Sequence, residues 1–95
     1  MSAPSPRPVL TVYGRPGCHV CDEMRDELQA AIEDRARLGQ PVPQVHEVDV
    51  TDDPDLVARY GGLVPVLVLS GQELPLVVSG RQVRAFLDRT LPRTA

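Results

Sequence analysis

The chain has no lysine, only three aromatic residues (Tyr13, Tyr60, Phe86) and only two cysteines in 95 residues. Each scarcity excludes something. Its ten cations are all arginines, interspersed with thirteen carboxylates for a net charge of −3. No basic stripe with interleaved aromatics results, so nucleic acid is not an expected partner. With so few rings, the core must be aliphatic. No apolar run approaches the ~20 residues that a membrane helix requires, so no membrane association is expected. Met1-Ser2-Ala3-Pro4-Ser5-Pro6-Arg7-Pro8 lacks the apolar stretch of a secretory signal. A cytoplasmic location is therefore expected. In that reducing compartment a close cysteine pair is more often catalytic or metal-binding than a structural staple.

What is present suffices for one domain. A chain of this length buries roughly 60–70% of the surface its unfolded form exposes, so its stability margin is thin. Residues 1–8 carry three prolines and are expected to form a disordered tail. The folded domain is expected over residues 9–91, with 92–95 as a C-terminal tail and a monomer as the resting state.

Val9 to Tyr13 is predicted as a short strand covered on both faces. A helix is predicted from about Cys18 to Leu38, with Val20, Met24, Leu28, Ala31 and Ile32 as its apolar stripe. Arg35 and Arg37 suit its last turn, and Gly39 its stop. A second strand is predicted over Val45–Val50. Asp53-Pro54 has the cap-then-proline order of a helix start, with Leu56, Val57 and Tyr60 inward and Gly61-Gly62 as its end. Val64–Leu69 reads as a central strand, Ser70–Glu73 as a turn, and Leu74–Val78 as a fourth strand that Pro75 confines to an edge. Ser79 and Gln82 have capping-box spacing for a last helix, which buries Val83, Phe86 and Leu87 and stops at Pro92. The order β-α-β-α-β-β-α predicts an α/β fold. Its first crossover should be right-handed and parallel, its last two strands antiparallel, and its helices should cover both faces of the sheet.

Cys18 and Cys21 fall where the first strand gives way to the first helix. A helix N-terminus favours negative charge, and the thiolate is the reactive form of cysteine. Such placement lowers a thiol pKa from about 8.5 toward roughly 3.5–7.5. Arg15 and His19 add to this effect; Asp22 and Glu23 oppose it. Cys18 is the predicted nucleophile, and Cys21, one helical turn on, the resolving thiol. His19 is either a cation that tunes the redox poise or an exposed side chain without effect. Tyr13 packs beside the active-site loop or belongs to the strand core.

The segment Tyr13-Gly14-Arg15-Pro16-Gly17-Cys18-His19-Val20-Cys21 resembles the active-site segment of the glutaredoxin-like members of the thioredoxin superfamily. Gly62-Leu63-Val64-Pro65-Val66 is similar to that family's second landmark, a Val-Pro step with a cis bond. The resemblance spans about Val9 to Leu91. It implies a thioredoxin-like four-stranded mixed sheet with three helices. It also implies a thiol-disulfide oxidoreductase that reduces protein or glutathione mixed disulfides, with glutathione as co-substrate and no tightly bound cofactor or metal. In this reading Val64 and Pro65 present backbone to an extended substrate. Arg15 holds a glutathione carboxylate or is a solvated turn residue. Ser79 and Gly80 offer amides to a carboxylate or form an ordinary cap. The chain departs from the glutaredoxin pattern at His19-Val20, where Pro-Tyr is usual. It departs again at Val78-Ser79-Gly80-Arg81, where a Gly-Gly step and an acidic residue are usual. Glutathione-assisted iron–sulfur cluster binding and a non-catalytic interaction module are the alternatives.

Overall fold

Alternation along β1 (Val9–Gly14) sends Leu10 and Val12 to one face of the sheet and Tyr13 to the other. The coordinates are a computed structural model that describes residues 7–91. β1 leads through a turn into α1 (His19–Arg37), which returns the chain to β2 (Gln44–Asp49), parallel to β1 in the register Val9↔Gln44 to Gly14↔Asp49. One 3-10 turn (Val50–Asp52) precedes α2 (Pro54–Tyr60). Then come β3 (Val66–Leu69), β4 (Gln72–Leu74) and α3 (Gly80–Thr90). The strand order is β2-β1-β3-β4, with β3 antiparallel to both β1 and β4. The expected α/β architecture is the one observed.

Two clusters fill the two faces. Leu10, Val12, Leu67 and Leu69 meet Met24, Leu28 and Ala31 of α1 and Val83, Phe86 and Leu87 of α3. On the other face Val50, Tyr60 and Val66 form a smaller cluster, flanked by Tyr13, Leu56, Val64 and Val68. Tyr13 stacks on Tyr60, ring centroids 4.5 Å apart, so its body belongs to the α2 face of the core.

The helix ends follow from local chemistry. Asp53 caps α2 by accepting from Asp55 N–H at 2.8 Å, with Pro54 at the first helical position. Ser79 and Gln82 form the complete capping box of α3. Beyond α1, Gln40 N–H reaches Arg35 C=O and Gly39 N–H reaches Ala36 C=O, the paired bonds of a Schellman stop.

Several boundaries differ from the sequence reading, each for a physical reason. The hairpin turn is two residues, Ser70-Gly71, both at positive φ (53° and 77°), and not the four residues Ser70–Glu73. This is the turn whose twist matches antiparallel strands, so β4 begins at Gln72 and ends before Pro75, short of the predicted Leu74–Val78. β4 is nonetheless an edge strand. β3 starts at Val66 and not Val64, because Pro65 has no N–H to give the ladder; the Val64-Pro65 bond is cis. Val50 enters the 3-10 turn and not β2. Val20 and Val57, predicted inward, are exposed. Cys21 and Arg35 take buried places on α1 that the apolar stripe did not assign. Arg35 donates to Pro41 C=O and to Asp88, both at 2.9 Å, and so joins α1 to α3. Of the predicted tails, residues 1–6 and 92–95, including the Pro92 stop, lie outside the described residues. Pro8 C=O accepts from Gln44 N–H at 2.8 Å, so pairing begins before Val9.

One contact predicts a pH dependence. Tyr60 Oη donates to Glu73 Oε1 at 2.6 Å, and Arg59 adds a second bond at 3.0 Å. The tyrosine bond holds the Glu73 carboxyl below its ordinary value of 4.5. The same bond, with burial, raises Tyr60 above 10.0. A carboxyl depressed on folding stabilises the protein above its unfolded pKa and loses that contribution as pH falls through the folded one. A tyrosine raised on folding contributes below about pH 10 and loses its contribution as pH rises through its folded pKa. Melting curves of parent and Glu73→Gln chains should therefore lie furthest apart at neutral pH and converge as pH falls below 4.5 and through the lowered folded value. A separation that persists undiminished into acid contradicts the linkage.

Candidate redox site

The turn Arg15-Pro16-Gly17, with Gly17 at φ +73°, delivers Cys18 to the N-cap of α1 in extended conformation. The Cys18 sulfur accepts from Cys21 N–H at 3.1 Å, one of the amides that the first helical turn leaves without an internal partner. The two cysteines are joined as a disulfide with Cα atoms 5.2 Å apart. Cys18 is half-buried, whereas Cys21 is 2% exposed. Cys18 is thus the more exposed residue of the pair.

Gly14, at the end of β1, packs beside Cys21; a Cβ there would lie 3.5 Å from its sulfur. The antiparallel register Thr11↔Val68 to Tyr13↔Val66, continued by one step, sets Pro65 opposite Gly14. The cis proline therefore lies at the strand end that carries the disulfide. Val64 makes no backbone hydrogen bond among the described residues. The segment after β4 runs beside it: Leu76 N–H donates to Leu63 C=O at 2.9 Å and Val77 N–H to Pro65 C=O at 3.2 Å. Leu76 sits at φ 54°, in the left-handed region that branched side chains avoid. Leu63, Leu76 and Val78 are exposed here and form an apolar shelf.

The remaining predicted residues divide. His19 is turned to Glu23, Nε2 to Oε1 at 3.2 Å, with both side chains largely in solvent. Arg15 is exposed and lines a cavity of about 340 Å³ whose walls include Cys21, Asp22, Arg25, Glu47 and Asp49. Ser79 is engaged in its capping box. At Gly80 a Cβ would collide with the carboxylate of Glu27, which reaches across from α1.

Two features escaped the sequence reading. One is Glu27, which sits against the first turn of α3. The other is Arg25, which bridges Asp22 (2.9 Å) and Glu47 on the wall beside Cys21. Glu47 holds Arg25 still more firmly protonated than usual. The Asp22–Arg25 spacing of three was visible in the sequence as a helical pair. The partners Glu47 and Gly80 come from distant elements and left no local signal. Among the described residues, no three His, Cys, Asp or Glu side chains group as a metal site, and no helix is long and apolar enough to cross a membrane.

No curated protein matches this chain. Solved structures do. The chain is similar to the structural-genomics target protein XcR50 from X. campestris. Its X-ray structure has 36% identity and a TM-score of 0.68, covering 84% of this chain and 96% of that one. It is also similar to protein Ne2328 from Nitrosomonas europaea. That solution structure has 25% identity and a TM-score of 0.62, covering 90% of this chain and 98% of that one. The family model described as Glutaredoxin-like domain (DUF836) matches residues 9–89. With nearly the whole described fold matched and a Cys-x-x-Cys pair at the head of α1, the chain belongs to the glutaredoxin-like family.

Proposed function

We propose that the protein is a thiol-disulfide oxidoreductase that reduces protein disulfides or glutathione mixed disulfides. The observation that carries this reading is the disulfide itself, set at the N-terminus of α1 with Cys18 half-buried and Cys21 fully buried. In the reduced protein, the Cys18 thiolate attacks one sulfur of the substrate disulfide. A Cys18–substrate disulfide forms, the substrate bond breaks, and the departing thiolate takes a proton. Cys21 then loses its proton and attacks Cys18. The Cys18–Cys21 bond closes and the second substrate thiol leaves. Substrate gains two electrons and the protein loses two; glutathione or a thioredoxin-type system returns them. During attack, extended substrate backbone pairs with Val64, and its side chains rest on Leu63, Leu76 and Val78.

The test is equilibration of the pair in glutathione redox buffers, followed by turnover with a glutathionylated substrate. A reversible two-electron transition between about −270 and −120 mV, the span of functional dithiol proteins, is expected. Turnover with glutathione as reductant would make it the co-substrate; turnover only with a thioredoxin-type donor would assign that role elsewhere. A pair that stays oxidised or reduced across the whole buffer range defeats the redox reading.

A further inference from the structure

The net charge of −3 is unevenly placed. Asp22, Glu23, Asp26 and Glu27 are exposed on the first turns of α1 behind Cys18. Glu47 and Asp49 close β2 and line the cavity against Cys21. Asp52, Asp53 and Asp55 follow, exposed, where the chain enters α2. These lie at the disulfide end of the sheet, because Gly14 and Asp49 are register partners at the ends of two parallel strands. Nine of the thirteen carboxylates thus gather there with three arginines, Arg15, Arg25 and, in the first turn of α3, Arg81; Arg25 is already bound to Asp22 and Glu47. The remainder of the sequence reverses the balance, with seven arginines and four carboxylates. The nearby first turn of α3, which would otherwise attract an anion, already faces the Glu27 carboxylate.

We infer that this end of the molecule docks a cationic partner: a protein disulfide flanked by lysine or arginine, with an apolar residue for the Leu63–Leu76–Val78 shelf. The inference rests on the redox reading and names the substrate class of the same site. The disulfide that shares this end of the sheet with the carboxylates is what gives that field a ligand. A one-signed field of this kind concentrates oppositely charged partners and raises their encounter rate by about 10- to 1,000-fold, while repelling like charge. Small anionic disulfides, oxidised glutathione among them, meet the α1 carboxylates, Glu27 included, and react slowly.

The test uses the reduced Cys21→Ser chain, whose single thiolate attacks the probe disulfide, forms one bond to one of its sulfurs, breaks the probe's S–S bond and releases the other half as a thiolate. It is reacted with cystamine (cationic), bis(2-hydroxyethyl) disulfide (neutral) and oxidised glutathione (anionic). Each rate is divided by that of 2-mercaptoethanol with the same disulfide. At low salt cystamine should exceed glutathione by about tenfold or more. At about 1 M salt, where the Debye length is about 3 Å, the ratio should fall to within about twofold of unity. In the Glu23→Gln/Asp26→Asn/Glu27→Gln variant the low-salt ratio should drop at least about threefold. A ratio near unity at low salt, or one indifferent to both salt and neutralisation, overturns the inference. Binding separates its fate from that of the redox reading. The Cys18→Ser/Cys21→Ser chain, titrated with a blocked Arg-Leu-Arg-Leu-Arg peptide, should show NMR shifts over residues 15–27 and 47–55 that the Glu-Leu-Glu-Leu-Glu peptide does not produce. Such shifts without thiol exchange in the parent would leave the docking surface standing and the redox reading refuted. Exchange with no charge preference and no such shifts would do the reverse.

Discussion

A Cys18→Ser chain should lose disulfide exchange by a factor on the order of a thousand or more, because a serine hydroxyl at neutral pH is neither a competent nucleophile nor able to form a disulfide. The matching Cys21→Ser chain should behave differently. Its first sulfur still attacks, but nothing displaces the substrate, so a mixed disulfide with Cys18 accumulates and is visible by mass spectrometry. The asymmetry follows from burial: Cys21 is almost fully buried in the first turn of α1, and Cys18 at the N-cap is only half-buried. A mixed disulfide that forms on the Cys18→Ser chain, and not on the Cys21→Ser chain, would exchange the two roles. Neither substitution should unfold the protein, since serine nearly matches cysteine in size and neither cysteine belongs to the two packed clusters, although the buried Cys21 site should lose more stability than Cys18.

Phe86→Ala should have the largest effect on stability. The ring is fully buried between α3, α1 and the sheet, and it is the largest completely buried side chain among the described residues. Truncation removes its transfer free energy and leaves a cavity that the small neighbours close only in part, at a cost of about 3–5 kcal/mol. A domain of this size has about 5–15 kcal/mol in total, so the variant approaches the unfolding threshold. Its melting temperature should fall by more than about 12 °C. Phe86→Leu, which keeps most of the volume, should lose less than half as much. Equal losses for the two would show that cavity volume does not set the stability of this core.

The sequence carried much of this architecture because its signals are local. The Asp53-Pro54 start, the Ser79–Gln82 box and the inward triad Val83, Phe86 and Leu87 depend only on residues within one or two helical turns, and they stand where the spacing put them. Val20 and Val57 were misplaced for the opposite reason. Their helical spacing is right, but burial also needs a neighbouring element, and none covers them. The two-residue turn at Ser70-Gly71 was missed because serine seldom adopts positive φ. Strand pairing imposes that angle, and it overrides the local preference.

The candidate site divides along the same line. Cys18, Cys21 and the Val64-Pro65 step are short motifs, readable in any context, and they specify a thiol pair and the landmark beside it. Which sulfur is reachable, where the His19 ring turns, what occupies the first turn of α3 and how nine carboxylates come to share one end of the molecule depend on residues far apart in the chain. By itself the sequence determined the element order, the helix caps and the identity of the reactive pair, because hydrophobic period and capping chemistry act over a few residues. Only the tertiary structure decided exposure and the electrostatic setting of that pair. Both are sums over space, and folding alone brings Glu27 to Gly80 and Glu47 to Arg25.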